Sequence, residues 1–319
     1  RADMDALPIV EDSGVDHQSC YRGKMHACGH DGHTSMLLGA AQILAQNRHF
    51  DGTLVFCFQP AEEGGGGAKA MIDDGVLERF PVKGAYALHN YPGLGIGEFC
   101  VASGPALASS NAYSIVITGK GGHAAQPYNT HDPIVCAAHI VTALQTIISR
   151  IIDPRQPAVV SVTSIQGGDA FNVVPDSVTL RMTVRAFSVA VARRIEEEIH
   201  HICETTAQSF HTHAKISLPE TIIPYPPTIN HEKETAIAIA TMQEMVGVDK
   251  VETNAEAVMG SEDFSFFLQE VPGCFAFIGN GDTADLHNPH YDFNDRVLPY
   301  GIAYWCRMAE RVLPGKTDA

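Results

Sequence analysis

The sequence predicts an α/β protein: a mainly parallel sheet with helices on both faces, interrupted by a second, ferredoxin-like α+β domain. Three observations predict it. Short buried strands alternate with helices towards both ends of the chain, the pattern of parallel α/β sheets. The middle runs instead as strand, helix, strand, strand, helix, strand, the split βαβ order. The 319 residues are about twice a ~150-residue domain, so two cores are expected.

The elements follow in order. Over 34–46, Leu37, Leu38, Ala41, Leu44 and Ala45 recur at helical spacing. Residues 53–58 (TLVFCF) are a short β-branched and aromatic run that reads as a buried strand, and 85–88 as another. In the middle, strands are expected at 113–118, 158–166, 177–186 and 214–218, and helices at 132–150 and 189–210. Gly104-Pro105 and Pro224-Tyr225-Pro226-Pro227 flank that segment, and exposed Pro-rich loops tolerate insertions. The inserted domain is therefore placed at 109–222, which leaves the first domain discontinuous, 1–108 and 223–319. Helix 232–246, strand 275–278 and helix 299–312, the last with Pro299 in its first turn, close the chain.

Hydrophobic residues make up 45% and charged residues 18%, a globular balance that excludes disorder. The net charge of −16 repels phosphate, so neither nucleic acid nor an anionic membrane surface is an expected partner. No run of 18 apolar residues is present, so no membrane span is expected. The eight cysteines form no C-x-x-C pair and scatter through apolar segments, which reads as reduced thiols in the cytoplasm. The 16 histidines are unusually many. Histidine is the commonest metal ligand and general acid or base, which directs the search to its clusters.

Residues 25–33 (MHACGHDGH) hold His26, Cys28, His30, Asp31 and His33. Cys28 and His30 are two apart, so in an extended loop both face one way, and Asp31 is placed to cap the following helix. Residues 59–67 (QPAEEGGGG) follow a buried strand. Glu62 and Glu63 then stand at the carboxyl end of a sheet strand, where α/β folds place their sites. The four glycines let backbone approach closely, and no Lys-Ser or Lys-Thr follows them, which excludes a phosphate loop. His89 ends another strand, and 286–290 (LHNPH) follows a loop after a further one. Each group alone also has a bland reading: a His-rich turn, a solvated acidic turn, or a structural histidine at a strand end. Together Cys28, His30, Glu63, His89 and His287 offer ligands suited to zinc, or to manganese, cobalt or nickel. Five ligands exceed a closed structural zinc site and fit two metals that share one of them.

The segments RADMDALP, MHACGHDGHT, QPAEEGGGG, ALHN, GKGGHAAQP, FNVVP, GSEDF and HNPHYDFND run in this order from Arg1 to about Gly301. They resemble the N-acyl-amino-acid amidohydrolases, of the hippurate hydrolase and indole-acetyl-amino-acid hydrolase type. That family lies in the aminoacylase–carboxypeptidase clan of dinuclear metallopeptidases. The resemblance implies two divalent metal ions per subunit, with Cys28 bridging and His30, Glu63, His89 and His287 as the other ligands. It implies Glu62 as the general base. The inserted domain becomes a lid and dimerisation domain, whose His123 reaches across a homodimer to the partner's substrate. Asn172 and Arg185 match lid positions near the substrate's polar end. Asp3 and Asp5 match the first-strand acids. The wider clan has a ligand histidine in the place of Asp3; here His30 replaces it, and Asp5 orients a ligand histidine. Family members carry a further segment ahead of RADMDALP, so part of the first domain is expected to precede Arg1.

The activity implied is hydrolysis of a small N-acyl amino acid to a carboxylic acid and a free amino acid. Three other readings stay open: Cys28 as a nucleophile activated by a neighbouring histidine, a dipeptidase or carboxypeptidase of the same clan, and a catalytically silent metal-binding protein. Glu62 argues against the last, because a pure binding site needs no base beside its ligands.

Overall fold

A computed structural model describes residues 1–219 and 222–315. The chain forms two compact units. One is built from Arg1–Ala106, Thr228–Ala257 and the chain from Glu262 onwards; the other from Leu107–Pro227 and Val258–Ser261. The short return of 258–261 to the second unit was not expected from the sequence.

In the first unit, strand Ala85–Pro92 pairs in parallel with Gly273–Gly281, and Val251–Glu252 in parallel with Phe99–Cys100. Phe99–Cys100 joins the two pairs by running antiparallel to Gly273–Gly281. A separate parallel pair joins Ala2–Asp3 to Phe58–Gln59. Leu88, Phe99, Ala276 and Ile278 from the strands pack with Met36, Leu37 and Ala40 of helix His30–Gln46 and with Tyr304 and Met308 of helix Leu298–Val312. That burial pins the carboxyl ends of the strands, and the loops after them carry the site.

Two local expectations change. The strand expected over 53–58 is paired only at Phe58–Gln59. An apolar β-branched run becomes a ladder only where a neighbour supplies the other side, and Ala2–Asp3 supplies two residues. Beside 53–57 lies an apolar cavity of 680 Å³ lined by Leu44, Val55, Phe56, Phe80 and Trp305 among others; none of the ligand candidates lines it. The first helix starts at His30, not 34, because Gly29 adopts a left-handed φ of 81° as its N-cap. Asp31 therefore lies in the first turn and makes no side-chain cap; there its charge complements the helix dipole.

In the second unit, the antiparallel sheet runs His213–Ser217, Asn111–Thr118, Ser177–Ala186, Ala158–Gln166. In chain order this is 4-1-3-2, the ferredoxin-like arrangement. Helices Pro133–Thr146 and Val189–Ser209 supply Ile140, Leu144, Ile195 and Ile199 to a core with Ile115, Ile117, Leu180 and Val184 of the sheet. Asp132 caps the first of them, accepting the Ile134 and Val135 N–H groups. The helical stretch Pro133–Ile151 is long and apolar enough by composition to cross a membrane, yet Cys136, Ala137, Ile140 and Leu144 of it are buried in this core.

Candidate metal centre

Four stretches of the first unit converge. The turn into helix His30–Gln46 brings Cys28 and His30, and the loop after Phe58–Gln59 brings Glu62 and Glu63. Strand Ala85–Pro92 brings His89, and the loop after Gly273–Gly281 brings His287. Cys28, His30 and Glu63 each place a ligand atom within 4.8 Å of the others. Cys28 Sγ lies 3.5 Å from His89 Nε2, and Glu63 Oε1 lies 3.2 Å from His287 Nε2. The five residues that the motifs singled out as ligands thus form one cluster.

Their partners aim them. His89 Nδ1 donates to the Asn90 carbonyl at 2.7 Å, which leaves a lone pair on Nε2 facing the Cys28 sulfur. Asp5 Oδ1 lies 3.2 Å from His30 Nδ1, and Asp5 Oδ2 accepts the Glu63 backbone N–H at 3.1 Å. One carboxylate therefore fixes two of the ligand candidates. His30 Nε2, 4.0 Å from Glu63 Oε1, is buried and makes no hydrogen bond. An orphaned buried polar atom costs about 1–3 kcal/mol, a cost that a cation bound by the deprotonated nitrogen removes. Thiol, imidazole nitrogens and carboxylate oxygens also suit a divalent transition-metal ion, so the residues fit such a group.

Asp3, His30, His33 and His89 offer a second set of ligand atoms within 4.8 Å, but His33 is fully occupied. Its Nδ1 lies 2.6 Å from Asp3 Oδ1, and its Nε2 accepts the Asn90 N–H at 2.9 Å. Burial, against the pull of Asp3, drives its pKa down to about 3, so the ring is neutral. His30 goes the other way. Burial lowers it, but Asp3 and Asp5 together outweigh burial and hold it at about 9. Burial and then the Glu63 charge push the Cys28 thiol well above its ordinary range. A nucleophilic cysteine needs a depressed pKa, so this environment speaks against Cys28 as the attacking group.

Glu62 is buried, and burial followed by the nearby Glu262 charge raises its pKa well above the carboxylate range. Behind it the Arg1 guanidinium contacts Glu262 at 2.7 Å, Asp263 at 2.9 Å, Asp3 at 2.8 Å and Gln59 at 2.8 Å. Glu62, Glu262 and Asp263 also bring oxygens within 4.8 Å of one another, but Arg1 already supplies that group with positive charge. Motif reading missed Arg1, His33, Asn90, Tyr291, Glu262 and Asp263 as site residues. Their segments were singled out, but a linear motif does not say which of its polar side chains the fold will bury.

His123, Asn172 and Arg185 belong to the second unit. The two-residue pairing of Gly122–His123 with Val173–Val174, and the Ala124 N–H donated to the Asn172 carbonyl at 3.0 Å, set His123 beside Asn172. His123 is exposed, and its Nδ1 accepts the Ala125 N–H at 3.1 Å. A Cβ on Gly121 would lie 2.4 Å from the Val174 carbonyl, so this turn requires glycine. Arg185 sits apart on Ser177–Ala186. Its Nη1 is buried without a hydrogen-bond partner, and burial lowers its pKa.

A family model for the peptidase family M20/M25/M40 matches residues 1–311. The chain belongs to this family. It is 41% identical to the hippurate hydrolase of Campylobacter jejuni over 313 residues, covering 98% of this chain and 81% of that protein. It is 42% identical to the IAA-amino acid hydrolase ILR1-like 4 of Arabidopsis thaliana over 320 residues, covering 98% of this chain and 72% of that one. Among solved structures it matches the Bacillus subtilis YXEP protein, described as a dinuclear metal binding peptidase of the M20 family. The TM-score is 0.84 at 32% identity, over 99% of this chain and 81% of that one.

Proposed function

We propose that this M20 protein is a two-metal amidohydrolase that cleaves an N-acyl amino acid into a carboxylic acid and a free amino acid. The observation that carries the proposal is the position of Glu62: a buried carboxyl whose next residue, Glu63, belongs to the ligand cluster. The relatives named hippurate hydrolase and IAA-amino acid hydrolase support the substrate class. Cys28, His30, Glu63, His89 and His287 would hold the ions, with Cys28 shared, and Asp3 and Asp5 would fix the histidines around them. Bound zinc, manganese, cobalt or nickel ions would polarise the scissile carbonyl and bring the pKa of a water down towards ~7.

Glu62 takes the proton of the attacking water on a carboxylate oxygen and returns it to the leaving amine. The charge of ions held beside it would oppose its raised pKa and keep the carboxylate ionised to accept that proton. His123 donates to the scissile carbonyl oxygen of the partner's substrate in a homodimer formed through the second unit. Asn172 and Arg185 receive the polar end of the substrate; the unpartnered Arg185 Nη1 suits a carboxylate. Eight free cysteines support a reducing, cytoplasmic setting. The test is metal analysis of the purified protein, then hydrolysis of hippurate and other N-acyl amino acids with the metal restored. A chain that binds no metal, or that cleaves none of these amides when loaded, overturns the proposal.

A further inference from the structure

Asn90 ties together loops that each carry a ligand candidate. It follows His89 and is fully buried. Its Nδ2 donates to the Cys28 carbonyl at 2.6 Å, and its Oδ1 accepts the Tyr291 hydroxyl at 2.7 Å. Its backbone N–H donates to His33 at 2.9 Å. Tyr291 is itself buried and closes the loop that begins at His287. A single amide thus spans the Cys28 turn, the His89 strand and the His287 loop. The joint has no slack: a Cβ on Gly29 would lie 2.4 Å from Asn90 Nδ2 and 2.6 Å from the Tyr291 hydroxyl.

The His287 loop needs such a hold. His287 has a left-handed φ of 64°, unfavourable for a residue with a Cβ, and its side chain is 51% exposed. Its backbone N–H is anchored to the Ala27 carbonyl at 2.7 Å, next to Cys28, so displacement of one loop is felt by the other. The Asn90 amide donates to the Cys28 carbonyl while accepting from the Tyr291 hydroxyl; a carboxylate of the same shape only accepts, and an apolar side chain does neither.

We infer that Asn90 and Tyr291 are positioning residues, a latch that fixes His287 against the Cys28–His89 pair and thereby sets how tightly metal is retained. The inference rests on the ligand reading proposed above.

Tyr291→Phe removes only the hydroxyl, and Asn90→Asp keeps the acceptor but loses the donor. Wild type and both variants are loaded with Mn2+ alone and dialysed against a graded series of chelator, and the metal held per chain is measured. Melting of each metal-free protein checks the fold. Disturbing a group that orients metal ligands typically weakens binding about 10–100-fold, and that loss is expected in both variants. The decisive comparison is the double mutant with His287→Ala. If Tyr291 acts through His287, adding Tyr291→Phe to His287→Ala lowers retention little further. An equal fold-loss in both backgrounds indicates a general structural role and overturns the latch, as does wild-type retention in both variants. Should Tyr291→Phe fail to fold, Asn90→Asp is paired with His287→Ala and read in the same way. A wild-type chain that takes up no Mn2+ instead overturns the ligand reading, and the latch with it.

Discussion

Loading the metal site should expel protons, and the structure says how many and from where. At pH 7 His30, held at about 9 by Asp3 and Asp5, is protonated in the metal-free molecule. Cys28, pushed higher still, is a thiol. Metal ligands must be deprotonated, so a filled site has displaced at least two protons. His33 and His89 have lowered pKa values and carry none to release. The sign follows: the proton-bound form is the metal-free form, so binding weakens as pH falls and strengthens as pH rises towards about 9. Each displaced proton contributes about one decade in apparent affinity, ~1.4 kcal/mol, per pH unit. Two protons then change the product of the binding constants by about four decades between pH 6 and pH 8. Calorimetric titration of Mn2+ into metal-free protein, repeated in buffers of different protonation enthalpy, counts the protons directly. Cys28→Ala and His30→Ala should each lower the count by about one. Release of fewer than one proton on filling the wild-type site would refute the reasoning.

Glu62→Gln should keep its metal and lose about two to four decades of turnover; equal metal loss in Glu62→Gln and Glu63→Gln would mean that the base and the ligand have been exchanged. Gly32→Ala should destabilise, because its Cβ would stand 2.3–2.4 Å from three atoms of the Phe293 ring and Phe293 is buried. Overpacking of this kind costs about 1–3 kcal/mol, and a melting temperature within a degree of wild type would contradict that packing. Inactive His123→Ala and Glu62→Gln chains, mixed and allowed to exchange subunits, should recover activity in the mixed dimer, up to half per heterodimer. No recovery despite proven exchange would place His123 within its own chain or outside the reaction.

The sequence was most legible where chemistry and chain position coincide. Cys28 and Glu63 flank apolar elements, so the hydrophobic pattern that defines the element also places those ligand candidates, whereas the strand expected to end at His89 runs on to Pro92. The second unit was legible for a related reason: Ser177–Ala186 alternates strongly, and the six main elements keep the split βαβ order, with only short pieces such as Gly122–His123 and Val173–Val174 between them. What stayed hidden depends on distant partners. Nothing local distinguishes His33 from His30, three residues earlier. Only the fold sets Asp3 and the Asn90 N–H against the two nitrogens of His33 and leaves His30 Nε2 bare. Residues 53–58 were misjudged because strand formation depends on a neighbour, and an apolar run does not reveal how long that neighbour is.

The first unit's discontinuity also imposes an order of assembly. Cys28, His30, Glu63 and His89 leave the ribosome early, whereas His287 follows His89 by about 200 residues, some ~10–40 s later at ~5–20 residues per second. Strand Ala85–Pro92 must wait equally long for its parallel neighbour Gly273–Gly281. The four-stranded sheet of the second unit needs no strand from outside Asn111–Ser217 and can close during that interval. A nascent chain therefore carries an incomplete set of donors after the four-stranded sheet of the second unit has all its strands. The full set of ligand candidates is brought together only once His287 has been synthesised.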